Sequence, residues 1–437
     1  MINKLLIKDG FVVLPDKIIK ADILISGKKI KKIGKNILCT TKNIAVISAK
    51  NRYILPGGID VHTHMELEVW KGMVSSDDFY TGSRAGLKGG ITSFWGFAYQ
   101  KKNETLLRAY RRTYKSASKK SVSNFYLHAG ILNTNTDYEK QIRECIKNNI
   151  RTFKVHLNDP KVDTVFLMKI FQLVSRYNGI LLLHCEDGKI AEYNKTRFIK
   201  DGKRDIIYHP RTRENFVEKI AIDLVINLAY KFNTKIYIVH LTTAEGLASI
   251  EKAKEEGKIW IEAETCPQYL LLTEKIYRKK QAYLYSCTPP FRTKYDNEML
   301  WKGLKKGIIR VISTDHCPFT IKQKNIGKND FTKLPYGIPG IETLYPLILS
   351  EGRKRGFTYS EITNFISTNP AKIFGIYPER GIIKEGSIAD LVIYNPDIKY
   401  KITAKDLITN CDFTPYEGWK IKGRIEKVIF EGTPVNF

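Results

Sequence analysis

The 437-residue chain carries 72 lysine and arginine residues against 45 aspartate and glutamate residues, which gives a formal net charge of +27. A composition of 43% hydrophobic and 27% charged residues is that of a folded globular protein and excludes a disordered or fibrous chain. The basic residues are spread over the whole sequence, without a basic block interleaved with aromatic residues. We therefore expect no nucleic-acid partner.

The sequence predicts neither a membrane-spanning helix nor a secretion signal. No apolar run approaches the roughly 18 residues that a bilayer-crossing helix needs. The first residues lack the basic start, apolar stretch and small-residue cleavage site of a signal peptide. The seven cysteines are scattered without a Cys-x-x-Cys pair, which is typical of reduced thiols. We predict a cytoplasmic protein without a membrane partner.

The two chain ends share a pattern of short apolar strands and tight turns. Turns are predicted at Asp9-Gly10, Gly27-Lys28 and Glu431-Gly432, where the residue types favour hairpins. The predicted strands cover residues 5–7, 11–13, 23–25, 29–33, 390–394 and 427–430. Because chain ends often lie close together, we predict that residues 1–54 and 381–437 build one small β-sandwich domain.

Residues 55–380 have a different rhythm, in which short apolar runs alternate with longer segments that can form helices. The eight candidate strands are residues 59–64, 91–97, 125–129, 150–156, 180–184, 236–240, 259–263 and 309–315. Helical spacing of apolar residues is clearest in residues 166–177, 216–230 and 243–256. Strands that alternate with helices predict a parallel sheet, and eight repeats predict a closed (β/α)8 TIM-like barrel.

Two histidines end the first strand of this barrel. Side chains alternate along a strand, so His62 and His64 project to the same face and place two imidazoles side by side. Such a pair can hold one metal ion, although a single His-x-His pair is weak evidence. The interpretation depends on whether other strands supply further ligands.

Four more polar residues stand at the ends of later strands, namely Lys154, His184, His240 and Asp315. The carboxyl ends of barrel strands are where enzymes of this architecture build their active sites. Imidazoles with a carboxylate suit zinc or a similar divalent ion. A lysine ammonium repels cations, but its carbamate, formed with carbon dioxide, can bridge two metals like a carboxylate.

A site with two metal ions predicts hydrolysis of a carbonyl compound. Such a site generates hydroxide at neutral pH and polarises the carbonyl group that the hydroxide attacks. Asp315 would take the proton of the bridging hydroxide and pass it to a leaving nitrogen atom.

Long motifs in the same order resemble the amidohydrolase superfamily, in particular its cyclic amidase branch with dihydropyrimidinase and hydantoinase. The motifs are Leu55-Pro-Gly-Gly-Ile-Asp-Val-His-Thr-His64, Asp77-Asp-Phe-Tyr-Thr-Gly82, His184-Cys-Glu-Asp-Gly188, Glu264-Thr-Cys-Pro-Gln-Tyr269, Thr314-Asp-His-Cys-Pro-Phe319, Gly337-Ile-Pro-Gly-Ile-Glu342 and Gly381-Ile-Ile-Lys-Glu-Gly-Ser-Ile-Ala-Asp-Leu391. The resemblance covers nearly the whole chain. It implies a small cyclic amide as substrate and a homo-oligomer, either a tetramer or a dimer.

The resemblance also implies a role for each of the six strand-end residues. Two divalent ions, usually zinc, would be bound, with carboxylated Lys154 as the bridging ligand. The complete set of expected metal ligands is His62, His64, Lys154, His184, His240 and Asp315.

The expected substrate pocket departs from the dihydropyrimidinase pattern at four positions. Asp159 stands where that family has a tyrosine that donates to the oxyanion, and His156 replaces an aromatic residue of the pocket. Thr288 replaces a serine, and Tyr336 replaces an asparagine whose main-chain carbonyl contacts the ring. We expect these four residues to contact substrate, and we predict poor activity on plain dihydrouracil and a preference for a more polar ring.

Two histidines and the cysteines near the motifs are predicted to be structural. His128 has no counterpart in the family pattern, and His316 points away from its neighbour Asp315. The family uses no thiol nucleophile, so packing is the expected role of Cys185, Cys266, Cys287 and Cys317.

Two alternatives remain open at this stage. An allantoinase- or dihydroorotase-like enzyme shares the superfamily, but Met65-Glu66-Leu67 follows the histidine pair where dihydroorotase has an arginine for the substrate carboxylate. A non-catalytic scaffold like the collapsin response mediator proteins shares the fold. Those proteins have lost metal ligands, whereas the set is complete here.

Overall fold

The chain begins with five strands. In the computed structural model, which describes residues 4–38, 44–70, 72–133 and 136–437, they are β1 (Lys4–Val13), β2 (Ile18–Ser26), β3 (Lys29–Gly34), β4 (Ile44–Ser48) and β5 (Tyr53–Pro56). One edge of β1 pairs antiparallel with β2. Its other edge is shared, because β4 pairs with the first half of β1 and β5 pairs with the second half. This division splits the sheet into two branches.

The predicted turn at Asp9-Gly10 is wrong. Strand β1 runs through both residues, and its pairing with β2 shifts register between Ile7 and Gly10, which is a β-bulge. Asp9 adopts a positive φ of 63° there, and its amide donates to Asp22 Oδ1 at 2.9 Å. Both a β-bulge and a hairpin turn need a residue that tolerates positive φ, and an Asp-Gly pair can provide it. The residue types alone therefore do not distinguish a bulge from a hairpin.

The middle of the chain forms a parallel barrel. A small hairpin of β7 (Glu68–Trp70) and β8 (Met73–Val74) follows its first strand, β6 (Gly58–Thr63). The other barrel strands are β9 (Ile91–Tyr99), β10 (Asn124–Ile131), β11 (Thr152–His156), β12 (Ile180–His184), β13 (Lys235–Ile238), β14 (Ile261–Thr265) and β15 (Val311–Ile312). They pair in chain order, so all eight predicted strands are confirmed.

The barrel is closed by the segment that follows β15. The His64 amide donates to the His316 carbonyl at 2.7 Å, and Thr63 forms a parallel bridge with His316. Strand β15 is shorter than the predicted run 309–315, because the chain leaves the extended conformation before it reaches Asp315, whose φ is 53°.

Helices surround the barrel. Those that end before residue 257 are α1 (Phe79–Lys88), α2 (Leu106–Lys120), α3 (Tyr138–Lys147), α4 (Thr164–Arg176), α5 (Gly188–Lys200), α6 (His209–Thr212), α7 (Asn215–Phe232) and α8 (Ala244–Glu256). The later ones are α9 (Pro267–Leu271), α10 (Lys294–Lys305), α11 (Ile321–Lys324), α12 (Leu344–Lys354), α13 (Tyr359–Thr363) and α14 (Asn369–Ile373). The three predicted helical segments correspond to α4, α7 and α8. In the described part of the chain, no helix is long and apolar enough to cross a membrane.

Helix α4 illustrates why these segments are helical. Its buried residues recur at helical spacing and form one apolar stripe against the barrel: Phe166, Leu167, Ile170, Phe171 and Val174. The carboxylate of Asp163 accepts from the Phe166 amide at 2.7 Å and caps the first turn. Both signals are local, so the sequence predicts this helix well.

The C-terminal strands complete the β-sandwich. Strands β16 (Leu391–Lys401), β17 (Lys420–Phe430) and β18 (Thr433–Val435) are antiparallel, and β16 pairs with β5, which joins the two chain ends in one sheet. The predicted turns at Gly27-Lys28 and Glu431-Gly432 connect their strands as expected. The limits of the domains at residues 54 and 381 stay a prediction, although β5 itself extends to Pro56.

Candidate metal centre and substrate cavity

The structure brings the six strand-end residues to one end of the barrel. His62 belongs to β6, Lys154 to β11 and His184 to β12, while the other three follow their strands directly or by a few residues. The imidazole rings of His62 and His64 lie 5.1 Å apart, and those of His184 and His240 lie 4.5 Å apart. The prediction from sequence therefore names side chains that are neighbours in space.

Asp315 lies at the centre of the group. Its Oδ1 is 2.9 Å from His64 Nε2 and 3.2 Å from His62 Nε2. One ligand atom from each of His62, His240 and Asp315 falls within a 4.8 Å cluster, a spacing that suits a single metal ion. Burial raises the pKa of the Asp315 carboxyl, but the imidazoles of His62 and His64 outweigh this and hold the pKa below its usual value.

The donor set fits a divalent cation. Burial lowers the pKa of His62 and of His240 well below the usual value, so both imidazoles are neutral and keep a lone pair. His64 Nδ1, His240 Nδ1 and Lys154 Nζ are buried without a hydrogen-bond partner among the described residues. Buried polar atoms without partners are costly, and their concentration here is typical of a binding site.

Lys154 is the unusual member of the group. Its side chain is fully buried, and its Nζ lies 5.3 Å from the centroid of the Phe97 ring. Burial lowers the pKa of the Lys154 amine to about 8. The lowered pKa increases the fraction of free amine, and this favours carbamate formation because only the free amine attacks carbon dioxide.

A buried carboxylate orients His62. Glu264 Oε1 lies 2.5 Å from His62 Nδ1, and Glu264 Oε2 accepts from the Tyr237 hydroxyl at 2.8 Å. A hydrogen bond at Nδ1 fixes the tautomer that leaves Nε2 free on the side of Asp315. We did not predict this role of Glu264. The available signal was its position at the start of the motif Glu264-Thr-Cys-Pro-Gln-Tyr269.

His184 is oriented in the same way. Its Nε2 pairs with Glu186 Oε2 at 2.7 Å, and Arg213 Nη1 donates to the same oxygen at 3.0 Å. The Arg213 guanidinium and the His184 contact hold the pKa of Glu186 at about 2, although burial opposes this. Glu186 lies in a motif recognised from the sequence, but only the folded structure shows that it supports His184.

The segments that carry His240 and Asp315 have unusual backbone conformations. His240 has a φ of 37° and Asp315 a φ of 53°, both in the left-handed region that non-glycine residues rarely adopt. Asp60 helps to hold the second segment, since its Oδ1 accepts from the Thr314 amide at 3.1 Å. Strained residues of this kind concentrate at functional sites, where the surrounding structure fixes them.

A cavity of about 330 Å³ opens over the group, a size that suits a small ligand. Its lining residues are His62, His64, Leu67, Glu68, Val69, Tyr99, Leu132, His156, Asn158, His184, His240, Thr288, Asp315, Cys317, Tyr336 and Gly337. The structure thus places three of the four predicted substrate-contacting residues in the wall. His156 is one of them, and its Nε2 lies 2.8 Å from the Tyr99 hydroxyl.

Asp159 is the fourth, and the structure does not bring it into the cavity lining. Its Oδ1 accepts from the Lys161 amide at 3.0 Å, so the carboxylate stabilises its own loop. Asn158 lines the cavity instead. The structure therefore does not support a substrate contact of Asp159, because the loop after β11 turns the carboxylate back towards its own backbone.

The histidines expected to be structural have structural partners. His128 Nδ1 lies 2.8 Å from the Thr152 hydroxyl, and its Nε2 lies 3.2 Å from the Val61 carbonyl. His316 Nε2 pairs with Asp77 at 3.0 Å, and its Nδ1 accepts from the Gly340 amide. The cysteines of the described residues are buried free thiols: Cys145, Cys185, Cys266, Cys287, Cys317 and Cys411.

Comparison with known proteins agrees with this architecture. Residues 53–435 match the model of the amidohydrolase family. D-hydantoinase from Geobacillus stearothermophilus is 34% identical over 98% of this chain and 92% of its own length. The crystal structure of dihydropyrimidinase from Brevibacillus agri is 33% identical, with a TM-score of 0.95 over 99% of this chain and 95% of that chain.

A structure with lower identity has the same fold. L-hydantoinase from Arthrobacter aurescens is 26% identical, with a TM-score of 0.90 over 100% of this chain and 96% of that chain. The family and these relatives imply a site for a divalent metal ion at the barrel mouth. The chain therefore belongs to the amidohydrolase family, within the cyclic amidase branch that includes the hydantoinases and dihydropyrimidinases.

Proposed function

We propose that this protein is a metal-dependent hydrolase that opens a cyclic amide of the hydantoin or dihydropyrimidine type. The observation that carries the proposal is the convergence of the His62 and His64 imidazoles on the Asp315 carboxylate at the mouth of a small cavity. The D-hydantoinase and dihydropyrimidinase relatives, which match over almost the whole chain, support the same activity.

The proposed metal centre contains two divalent ions, with zinc as the expected metal. His62, His64, His184, His240 and Asp315 would hold them, and carboxylated Lys154 would bridge them. When bound, the ions supply a Lewis acid that polarises the amide carbonyl and lowers the pKa of water. The orphaned Lys154 amine, with its lowered pKa, supports the carbamate.

Asp315 is proposed to move the proton. Because its pKa is held low, the carboxylate is ionised at neutral pH and can accept the proton of the attacking hydroxide. It then donates this proton to the ring nitrogen as the carbon–nitrogen bond breaks. Glu264 orients His62, whose Nε2 and the Nε2 of His64 both lie within 3.2 Å of the same Asp315 oxygen, so the three side chains converge on one point.

The wall of the cavity is proposed to bind the ring. Thr288 and Tyr336 line it together with Gly337, and the Tyr336 hydroxyl is already engaged by the Phe331 carbonyl at 2.7 Å. Tyr99 and His156 also line the cavity, and the Tyr99 hydroxyl and the His156 ring, which pair with each other, add polar atoms to its wall. This polarity supports the prediction that a ring with a polar substituent is preferred over plain dihydrouracil.

Neither alternative function is favoured. The relatives that match almost the whole chain are hydantoinases and dihydropyrimidinases, and a scaffold without metal ligands does not account for the cluster around Asp315. A homo-oligomer, a tetramer or a dimer, and a cytoplasmic location remain predictions.

The direct test is a substrate panel. We expect the purified, zinc-loaded protein to open hydantoin and polar 5-substituted hydantoins at rates in the ordinary enzyme range of ~1–10³ per second, with slower turnover of dihydrouracil. Loss of ring absorbance measures the reaction, and dihydroorotate and allantoin serve as controls. Turnover confined to dihydroorotate or allantoin, or absent for every ring, would contradict the proposal.

A further inference from the structure

A fully buried lysine, Lys324, stands next to the substrate cavity. Lys324 Nζ donates to the Ser286 carbonyl at 2.9 Å, the Ser286 hydroxyl at 2.7 Å, the Pro335 carbonyl at 2.8 Å and the Gly337 carbonyl at 2.7 Å. It also lies 5.6 Å from the centroid of the Phe319 ring. Among the described residues, none of its hydrogen-bond partners is a carboxylate.

This arrangement is suited to a charged ammonium group. An ammonium has three N–H donors and no acceptor, and here it meets four oxygen acceptors, three of them carbonyls. Burial lowers the pKa of Lys324 to about 7, while the surrounding oxygens favour the protonated amine. A buried amine is costly to the fold unless its N–H groups are hydrogen-bonded, and the four oxygens meet this requirement.

The four acceptors belong to two segments of the cavity wall. We call these segments, residues 286–288 and 335–337, the outer wall; it contributes Thr288, Tyr336 and Gly337 to the cavity lining. The Gly337 amide donates to the Ser286 carbonyl at 2.9 Å, and the Ser286 hydroxyl donates to the Pro335 carbonyl at 3.2 Å, so the segments contact each other directly at two points. The Lys324 ammonium adds further hydrogen bonds to both segments, to Ser286 in the first and to Pro335 and Gly337 in the second.

The position of the ammonium is itself fixed by the short helix α11. Thr320 and Gln323 form a capping box at its start, and Gln323 Nε2 donates to the Val74 carbonyl at 2.8 Å. The Ile321 amide donates to Asp412 Oδ1 at 2.7 Å. The helix is therefore held from the β7–β8 hairpin on one side and from the C-terminal region on the other.

We propose that Lys324 is a positioning residue for substrate binding, whose ammonium clamps the two segments of the outer wall at the spacing that the ring requires. The inference rests on the proposed function for its kinetic consequence. Lys324 is not among the residues that line the cavity, so it acts through the backbone that carries Thr288 and Tyr336. Loss of the clamp weakens ring binding and leaves the metal-binding residues in place.

The kinetic test compares two lysine-to-methionine variants. Lys324→Met keeps a side chain of similar length but removes all its N–H donors. We expect KM to rise about tenfold or more, with kcat and metal content nearly unchanged. Lys254→Met is the matched control, since Lys254 is a partly buried lysine paired with Glu262 at 3.2 Å and lies outside the cavity lining. If the role of Lys324 were only structural, Lys324→Met would resemble Lys254→Met: it would lower the stability of the protein without a selective rise in KM.

Amide hydrogen exchange gives a second readout that needs no substrate. In the zinc-loaded protein, peptides that cover residues 284–290 and 333–339 are expected to exchange faster in Lys324→Met than in the wild type or in Lys254→Met. A wild-type protein that opens no cyclic amide would refute the proposed function. The exchange result would still show whether Lys324 holds the two segments together. Unchanged exchange in both peptides, or a KM within about twofold of wild type, overturns the clamp.

Ser286→Ala covers the case in which Lys324→Met does not fold. This variant removes the hydroxyl that accepts from Lys324 and donates to the Pro335 carbonyl, and it leaves the three carbonyls that accept from Lys324. We expect a smaller rise in KM, about threefold, together with faster exchange of the same two peptides. An unchanged KM and unchanged exchange in this variant also overturn the proposal.

Discussion

Replacement of Lys154 by alanine is expected to remove most of the bound metal and to abolish turnover. Alanine cannot form the carbamate, so the two proposed ions lose the ligand that they share. Changes that only reorient a ligand typically cost 10–100-fold in metal affinity or activity, and loss of a direct bridging ligand is expected to exceed about 100-fold. Elemental analysis and hydantoin turnover of the same preparation measure both effects.

Two further measurements separate metal loss from misfolding in this variant. Short carboxylic acids are expected to restore part of the activity of Lys154→Ala, because a free carboxylate occupies the space and the role of the carbamate. Lys254→Ala is the matched control, since that lysine pairs with Glu262 away from the cavity, and it is expected to keep its metal. A Lys154→Ala protein with full metal content and full turnover would rule out the bridging lysine.

Asp315→Asn is expected to lower kcat by about 10²-fold or more, the usual contribution of a general acid–base group. Asparagine keeps the shape of the side chain but cannot carry the proton from water to the ring nitrogen. Metal content is expected to fall much less than in Lys154→Ala, because five other ligands remain. Steady-state turnover and elemental analysis check both expectations.

Asp159→Asn provides the comparison for this result. The Asp159 carboxylate accepts from Lys161 and lies outside the cavity lining, so kcat and KM are expected to stay close to wild type. A near-normal kcat for Asp315→Asn would show that the proton is carried by another group. A large change in kcat or KM for Asp159→Asn would indicate that Asp159 does contact the substrate, as its position in the sequence suggested.

The barrel and the cluster of strand-end residues were predictable because their signals are local. Each strand is a short apolar run, and polar residues such as His184 and Asp315 mark the carboxyl ends, where a parallel barrel brings them together. The β-sandwich followed from similar strands at both chain ends. The bulge at Asp9-Gly10 was missed because the same residue types serve turns and bulges.

The supporting residues were harder to predict because their roles depend on contacts between distant segments. Glu264 reaches His62 across 202 positions of sequence, and Lys324 reaches Ser286 across 38 positions. Asp159 shows the opposite error, since its position relative to Lys154 suggested a substrate contact that the local turn does not provide. The number of residues from a motif does not fix the direction of a side chain in a loop.

A metal titration tests the central claim most directly. The chelated, metal-free protein is titrated with zinc in the presence of bicarbonate while hydantoin ring opening is followed. We predict that turnover is absent at the start, rises with added zinc and saturates near about two ions per chain. Full turnover by the metal-free protein, or no turnover at any zinc concentration, would contradict a metal-dependent cyclic amidase.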